Sequence, residues 1–221
     1  SQGVGLEICR RLISLGWQVI GIARSEKGLA AAKQELGDQF SFYTADVSKA
    51  ASVQNVFATI AKQKVELQLL VNNAAVFKMK PLTDFLSAEV EQMIDTNLKG
   101  TIFSTMEALK IMRSGARIVN IASVSATHGI KNQAVYCASK YGVDGFSEAL
   151  NQETIERGIS LTTICPGGID TPLWNASNPY PGDKSRLLSP SDVANAVAYV
   201  VGLPQRVVLK KMTLFPDNEL H

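Results

Sequence analysis

The chain has 221 residues, 46% hydrophobic and 19% charged, which is the balance of one ordinary globular domain able to bury a layered core. Its 22 basic and 20 acidic residues leave a net charge of +2, without the clustered Lys/Arg stripe that a phosphate backbone requires, so nucleic acid is excluded as an expected partner. No apolar run approaches the ~20 residues of a membrane span. No signal-peptide pattern opens the chain, and Cys9, Cys137 and Cys165 lie far apart in apolar surroundings. Neither a disulfide framework nor a metal site is expected, and a cytoplasmic protein with no membrane contact fits best.

Short β-branched runs alternate with segments of helical period, the pattern of β-α-β units. A helix is expected from Val4 to Leu15, a strand from Trp17 to Ala23, a helix from Glu26 to Leu36 and a strand from Phe40 to Ala45. The helix Ala50 to Lys62 and the strand Leu67 to Val71 follow, then a long helix from Glu89 to Met112 with a break near Gly100. The strand Arg117 to Ile121, the helix Ala134 to Arg157, the strand Ser160 to Ile164, the helix Ser191 to Val200 and the strand Val207 to Leu214 complete the series. Most of these strands are apolar on both faces, as strands covered by helices on each side must be. The pattern predicts α/β architecture: one doubly wound Rossmann-type domain over residues 1–221 with a mostly parallel sheet. Pro172 to Pro190, rich in Pro, Asn, Ser and Gly, reads as a mobile substrate lid within it.

Polar residues fall at the carboxyl ends of the strands: Asp46, the pair Asn72-Asn73, Ser123, and Pro166-Gly167. Open parallel sheets bind ligands outside those ends, so separate segments point at one site. Tyr136 and Lys140 stand four residues apart, which on a helix places phenol and ammonium on one face. A nearby cation favours the phenolate and would move the tyrosine pKa down toward working pH.

Together these segments resemble the short-chain dehydrogenase/reductase family, a Rossmann-type group that moves hydride between a nicotinamide dinucleotide and a carbonyl or alcohol. Ser1-Gln2-Gly3-Val4-Gly5 resembles the second half of the family's Thr-Gly-x-x-x-Gly-x-Gly turn, and Asn72-Asn73-Ala74-Ala75 its Asn-Asn-Ala-Gly, with alanine at Ala75 in place of the usual glycine. Asn97 resembles the catalytic Asn, and Ser123 precedes Tyr136 by the family's 13 residues. The resemblance implies catalysis by Asn97, Ser123, Tyr136 and Lys140. Ser123 would stabilise the substrate oxygen and Tyr136 would transfer the proton. Lys140 would hold the nicotinamide ribose, and Asn97 a water leading to Lys140. It implies dinucleotide contacts from Ser1, Gln2, Gly3 and Val4, from Asp46 and Val47 at the adenine, and from Asn73, Ala74, Tyr136 and Lys140. Pro166, Gly167, Ile169 and Thr171 would hold the carboxamide.

After the strand ending at Ala23, where an NAD enzyme usually places an acidic residue, the chain has Arg24 and Ser25. A guanidinium and a hydroxyl suit a 2′-phosphate, so NADP(H) is the expected cofactor and NAD(H) the alternative, although Gln2 stands where many NADP-dependent relatives are basic. The expected activity is that of an NADP(H)-dependent carbonyl reductase or alcohol dehydrogenase on a small molecule, assembled as a homodimer or homotetramer. An NAD-dependent alcohol dehydrogenase and a non-catalytic dinucleotide-binding regulator are the alternatives. His128 could face substrate or be an exposed loop histidine, and Phe77 and Trp174 could line an apolar pocket or pack the core or lid. The ending Lys210-Lys211-Met212-Thr213-Leu214-Phe215-Pro216 lacks the glycine-rich tail of many ketoacyl-reductase-like members. Because the chain opens inside the phosphate turn, a strand of ~10 residues ending in Thr-Gly-x is expected ahead of Ser1.

Overall fold

The computed structural model describes residues 2–176 and 178–217. Six parallel strands alternate with helices in the order expected. These are α1 (Gly3–Ser14), β1 (Val19–Ala23), α2 (Glu26–Leu36), β2 (Phe40–Thr44), α3 (Ala50–Lys62), β3 (Leu69–Asn72), α4 (Ser87–Ile94), α5 (Gly100–Leu109), β4 (Arg117–Ile121), α6 (Ala134–Thr154), β5 (Ser160–Pro166), α7 (Pro190–Gly202) and β6 (Lys211–Leu214). Gly37, at φ 74°, ends α2 in a conformation only glycine adopts cheaply. Ser25 starts that helix by accepting from the Gly28 N–H at 3.1 Å.

Why the strands read as continuous apolar runs is visible in β4. Val119 and Ile121 face one side, packing under Val4, Ile8 and Leu12 of α1 and Val193, Val197 and Val200 of α7. Ile118 faces the other, under Phe57 of α3, Ala108 of α5 and Leu150 of α6. Each β4 residue is therefore buried whichever way the pleat turns it, as the centre of a doubly wound sheet requires.

The strands order as β3-β4-β5-β6, with β1-β2 as a separate pair. The described strands thus form two parallel sheets, because β1 and β3 share no ladder. The slot between them, lined by Val19, Ile20, Leu69 and Val71, opens into a cavity of about 1620 Å³ that continues into the cleft at the carboxyl ends. The strand expected ahead of Ser1 lies outside the described residues.

The break expected near Gly100 in the long helix is a π-turn over Asp95–Lys99, between α4 and α5. One expected boundary shifts for a physical reason. The last strand starts at Lys211 rather than Val207, because the buried Arg117 guanidinium holds the preceding turn. It donates to the carbonyls of Leu203 at 2.7 Å, Pro204 at 3.0 Å and Val207 at 3.3 Å. Arg117→Ala would strand those carbonyls and is expected to cost about 2–4 kcal/mol, lowering Tm by roughly 5–10 °C in calorimetry.

Candidate active site

The first wall of the cleft is the N-terminus of α1. Gly3 sits at φ +55°, where side chains are strained, and a Cβ there would meet Thr171 Cγ2 at 3.6 Å. A Cβ on Gly5 would press on the Asn73 amide nitrogen at 2.8 Å. Three sequence segments thus meet at the helix start, with the tightest approach at Gly5. The resulting helix end offers unpaired N–H groups suited to an anionic pyrophosphate. Ser1 lies outside the described residues; Gln2 is extended at the N-cap with no side-chain cap bond.

At the far end, Arg24 is exposed just after β1. Burial alone would raise the Asp46 carboxyl, but the Ser48 hydroxyl and N–H donate to it at 2.8 and 3.0 Å, and with the Arg24 charge they hold it below its usual range. The Ser25 hydroxyl already caps α2, so the phosphate expected there would meet a helix N-terminus as well as Arg24. Val47 packs against the start of α5, where a Cβ on Gly100 would come within 2.9 Å of it. Asn73 and Ala74 follow β3 along the floor of the cleft.

The remaining residues converge past β4 and β5. Ser123 caps a short 3₁₀ turn by accepting from the Ser125 N–H at 3.1 Å, and it lines the same cleft as Tyr136. Lys140, one turn further along α6, is buried, with Nζ donating to the Ile121 carbonyl at 2.9 Å and lying 5.6 Å from the Tyr136 ring centre. The side chain of Asn97, carried by the π-turn, is fully engaged. Its oxygen accepts from the Val76 N–H at 2.8 Å, while its nitrogen donates to the Val76 carbonyl at 2.9 Å and to Ser139 Oγ at 3.1 Å. It therefore braces the loop after β3 against α6. Pro166 ends β5, the Gly167 N–H donates to Leu214 at 2.7 Å, and Ile169 bridges to Leu188.

One expectation is corrected. Lys140 does not bring the tyrosine down: burial pushes the Tyr136 phenol up to about 12, the Ser123 hydrogen bond offsetting only part of this. The same burial brings the Lys140 ammonium down to about 8. Both shifts run toward the neutral form because burial penalises charge and no carboxylate among the described residues pairs the ammonium.

A dinucleotide fits this cleft on one further observation. Thr171 Oγ1, beside Gly3, is buried with no hydrogen-bond partner among the described residues, and a buried hydroxyl of that kind suits a ligand's polar group. No signal in the sequence pointed to Asn178, whose side chain bonds the backbone of Phe77 and Met79 across the cleft mouth. His128 is an exposed loop residue at the cleft, its Nδ1 3.1 Å from Thr127 Oγ1. Among the described residues no His/Cys/Asp/Glu cluster could hold a metal, and no helix is long and apolar enough to cross a membrane.

Fold and cleft together are those of a Rossmann-type oxidoreductase. A family model described as short chain dehydrogenase matches residues 1–181, and the chain belongs to the short-chain dehydrogenase/reductase family. It is 30% identical to a Staphylococcus aureus protein named as an uncharacterised oxidoreductase, over 97% of this chain and 93% of that one. Among solved structures, a variant actinorhodin polyketide ketoreductase with NADPH superposes with a TM-score of 0.86 at 31% identity, covering 97% of this chain and 92% of that chain. The closed form of serine dehydrogenase complexed with NADP+ gives 0.89 at 29% identity, covering 100% and 93%.

Proposed function

We propose that the chain reduces a carbonyl compound, or oxidises the corresponding alcohol, with NADP(H) as hydride carrier and Tyr136 as proton donor and acceptor. The observation that carries this reading is the convergence of Ser123, Tyr136 and Lys140 on one cleft, with Lys140 held one turn from Tyr136 by the Ile121 carbonyl. Gln2, Gly3, Val4, Asp46, Val47, Asn73, Ala74, Pro166, Gly167, Ile169 and Thr171 would hold the dinucleotide. Bound NADPH supplies the hydride. As charge grows on the substrate oxygen, Ser123 donates a hydrogen bond to it and Tyr136 gives up its proton. Lys140, protonated below its pKa of about 8, supplies the positive charge that this proton transfer needs. Asn97 keeps α6 and the loop after β3 in register. The residues 172–190 act as a lid. Monitoring oxidation of NADPH by a panel of aldehydes and ketones tests the reading, and binding of cofactor without reduction of any of them rejects it.

Arg24, at the end of β1, and the NADP(H)-bound neighbours both support the phosphorylated cofactor. Arg24→Ala is expected to lower the ratio of kcat/KM for NADPH to that for NADH by about tenfold, since a guanidinium grips phosphate bidentately. A wild-type enzyme indifferent to the two cofactors overturns the preference. Exposed Met106 on α5 and Tyr141 on α6 support assembly into a homodimer or homotetramer, whose mass light scattering measures.

A further inference from the structure

Beyond Tyr136 the cleft is built for something other than proton transfer. The Phe77 ring meets Tyr136 edge-on, centres 4.7 Å apart and planes at 79°. Trp174 meets Phe77 at 5.0 Å and 71°, and Tyr180 meets Trp174 at 5.0 Å and 69°. An aromatic wall therefore runs from the proton donor into the 172–190 segment, in the T-shaped geometry aromatic pairs prefer. The wall is fastened in place. Asn178 Nδ2 donates to the Phe77 carbonyl at 3.1 Å, and the Met79 N–H donates to Asn178 Oδ1 at 3.3 Å.

Charge is missing from this end of the cleft. Among the described lining residues the charged groups, His128 apart, are Arg24 and Asp46 after β1 and β2, Glu66 ahead of β3, and Lys140. The Lys140 ammonium is directed at the Ile121 carbonyl. Lys78 and Lys80, next to Phe77 and Met79, both pair with Glu89, at 2.6 and 2.5 Å. A substrate carboxylate seated against Phe77 and Trp174 would lose its water and gain no counter-charge, whereas an apolar ring would lose nothing.

We infer that this site takes an uncharged ketone or alcohol whose reacting carbon bears an aromatic or fused-ring group, with Phe77 and Trp174 as the residues that select it. The inference rests on the proposed reductase reading. In the reduction, hydride passes from NADPH to the carbonyl carbon, the C=O π pair moves to oxygen, and Tyr136 protonates that oxygen, leaving NADP+, the neutral alcohol and a tyrosinate that takes its proton back from solvent.

The test uses the chain's two tryptophans. A Trp17→Phe variant leaves Trp174 as the one tryptophan, and quenching of its selectively excited emission reports ligand binding whether or not turnover follows. The probes are an aryl ketone and a keto acid of the same size, each titrated with NADP+ present and each assayed for NADPH oxidation. The aryl ketone is expected to bind at least about 30-fold more tightly and to show a kcat/KM higher by a similar factor. Trp174→Ala should lower the ratio of kcat/KM for the aryl ketone to that for a short aliphatic aldehyde about tenfold, through KM. Equal or better binding of the keto acid, no binding of either probe, or an equal loss on both substrates in Trp174→Ala overturns the inference. Tight aryl-ketone binding without reduction upholds the ligand class and rejects the reductase reading.

Discussion

Tyr136→Phe is expected to lower kcat by about 10³-fold, the scale of a lost general acid, while the dissociation constant for NADPH stays within about twofold and Tm changes little. The phenol sits between Ser123 and the Phe77 ring, and loss of one oxygen leaves the edge-on contact at 4.7 Å intact. Burial holds the phenol at about 12, so at neutral pH it is protonated and ready to donate. In the oxidation direction the same elevation is a handicap, because the tyrosine must first lose its proton. Carbonyl reduction is therefore expected to be favoured at neutral pH, with alcohol oxidation gaining as pH rises. Turnover of Tyr136→Phe within about tenfold of wild type would show that another group carries the proton.

Lys140→Met is expected to lose activity by at least about 10²-fold and yet, without cofactor, to be more stable than wild type at pH 7. The Lys140 side chain is buried, and among the described residues its ammonium hydrogen-bonds one carbonyl oxygen and lies near the Tyr136 ring with no carboxylate partner, so its charge is held at a cost. Its pKa is about 8 in the fold, against ~10.4 in an unfolded chain. Below pH ~8 the lysine is protonated in both states and the full cost of about 3 kcal/mol is present, which Met removes, raising Tm by roughly 6–10 °C. Between about pH 8 and ~10.4 the folded lysine has released its proton while the unfolded one keeps it, so wild-type stability rises with pH. The advantage of Lys140→Met should shrink across that window. Calorimetry of both proteins at pH 7 and near pH 10 checks this, and a Met variant less stable than wild type at pH 7 would refute the buried-charge account.

Local signals were enough to read much of the chain. The bounds of α2, α3 and β4 coincide with the periodic runs in the sequence, because capping residues such as Ser25 and Gly37 mark helix ends where they stand. The residues singled out at strand ends do meet around one cleft, since strand direction alone puts them on one edge of the sheet. What escaped depends on contacts made across the fold. The upward shift of Tyr136 arises from burial by distant segments, which a spacing of four residues cannot report. Asn178 clasps backbone about a hundred positions away, and an Asn in a loop carries no mark of its partner. The turn held by Arg117 consumed residues that look like strand by composition.

The π-turn Asp95–Lys99 makes this stretch of chain sensitive to length in a way it is not sensitive to composition. A π-turn holds one residue more than the α-helix it interrupts, so a single deletion would let α4 run into α5 as one regular helix. That would improve the local hydrogen bonding. It would also turn everything on one side by about 100° relative to the other. Asn97 would swing away from Val76 and Ser139, and Thr105 away from the Asn72 amide it meets at 3.0 Å. The extra residue acts as a phase shim between two helical halves that each answer to a different neighbour. Homologous exchanges of side chains there leave the phase alone, whereas a one-residue indel trades a better helix for a misaligned cleft.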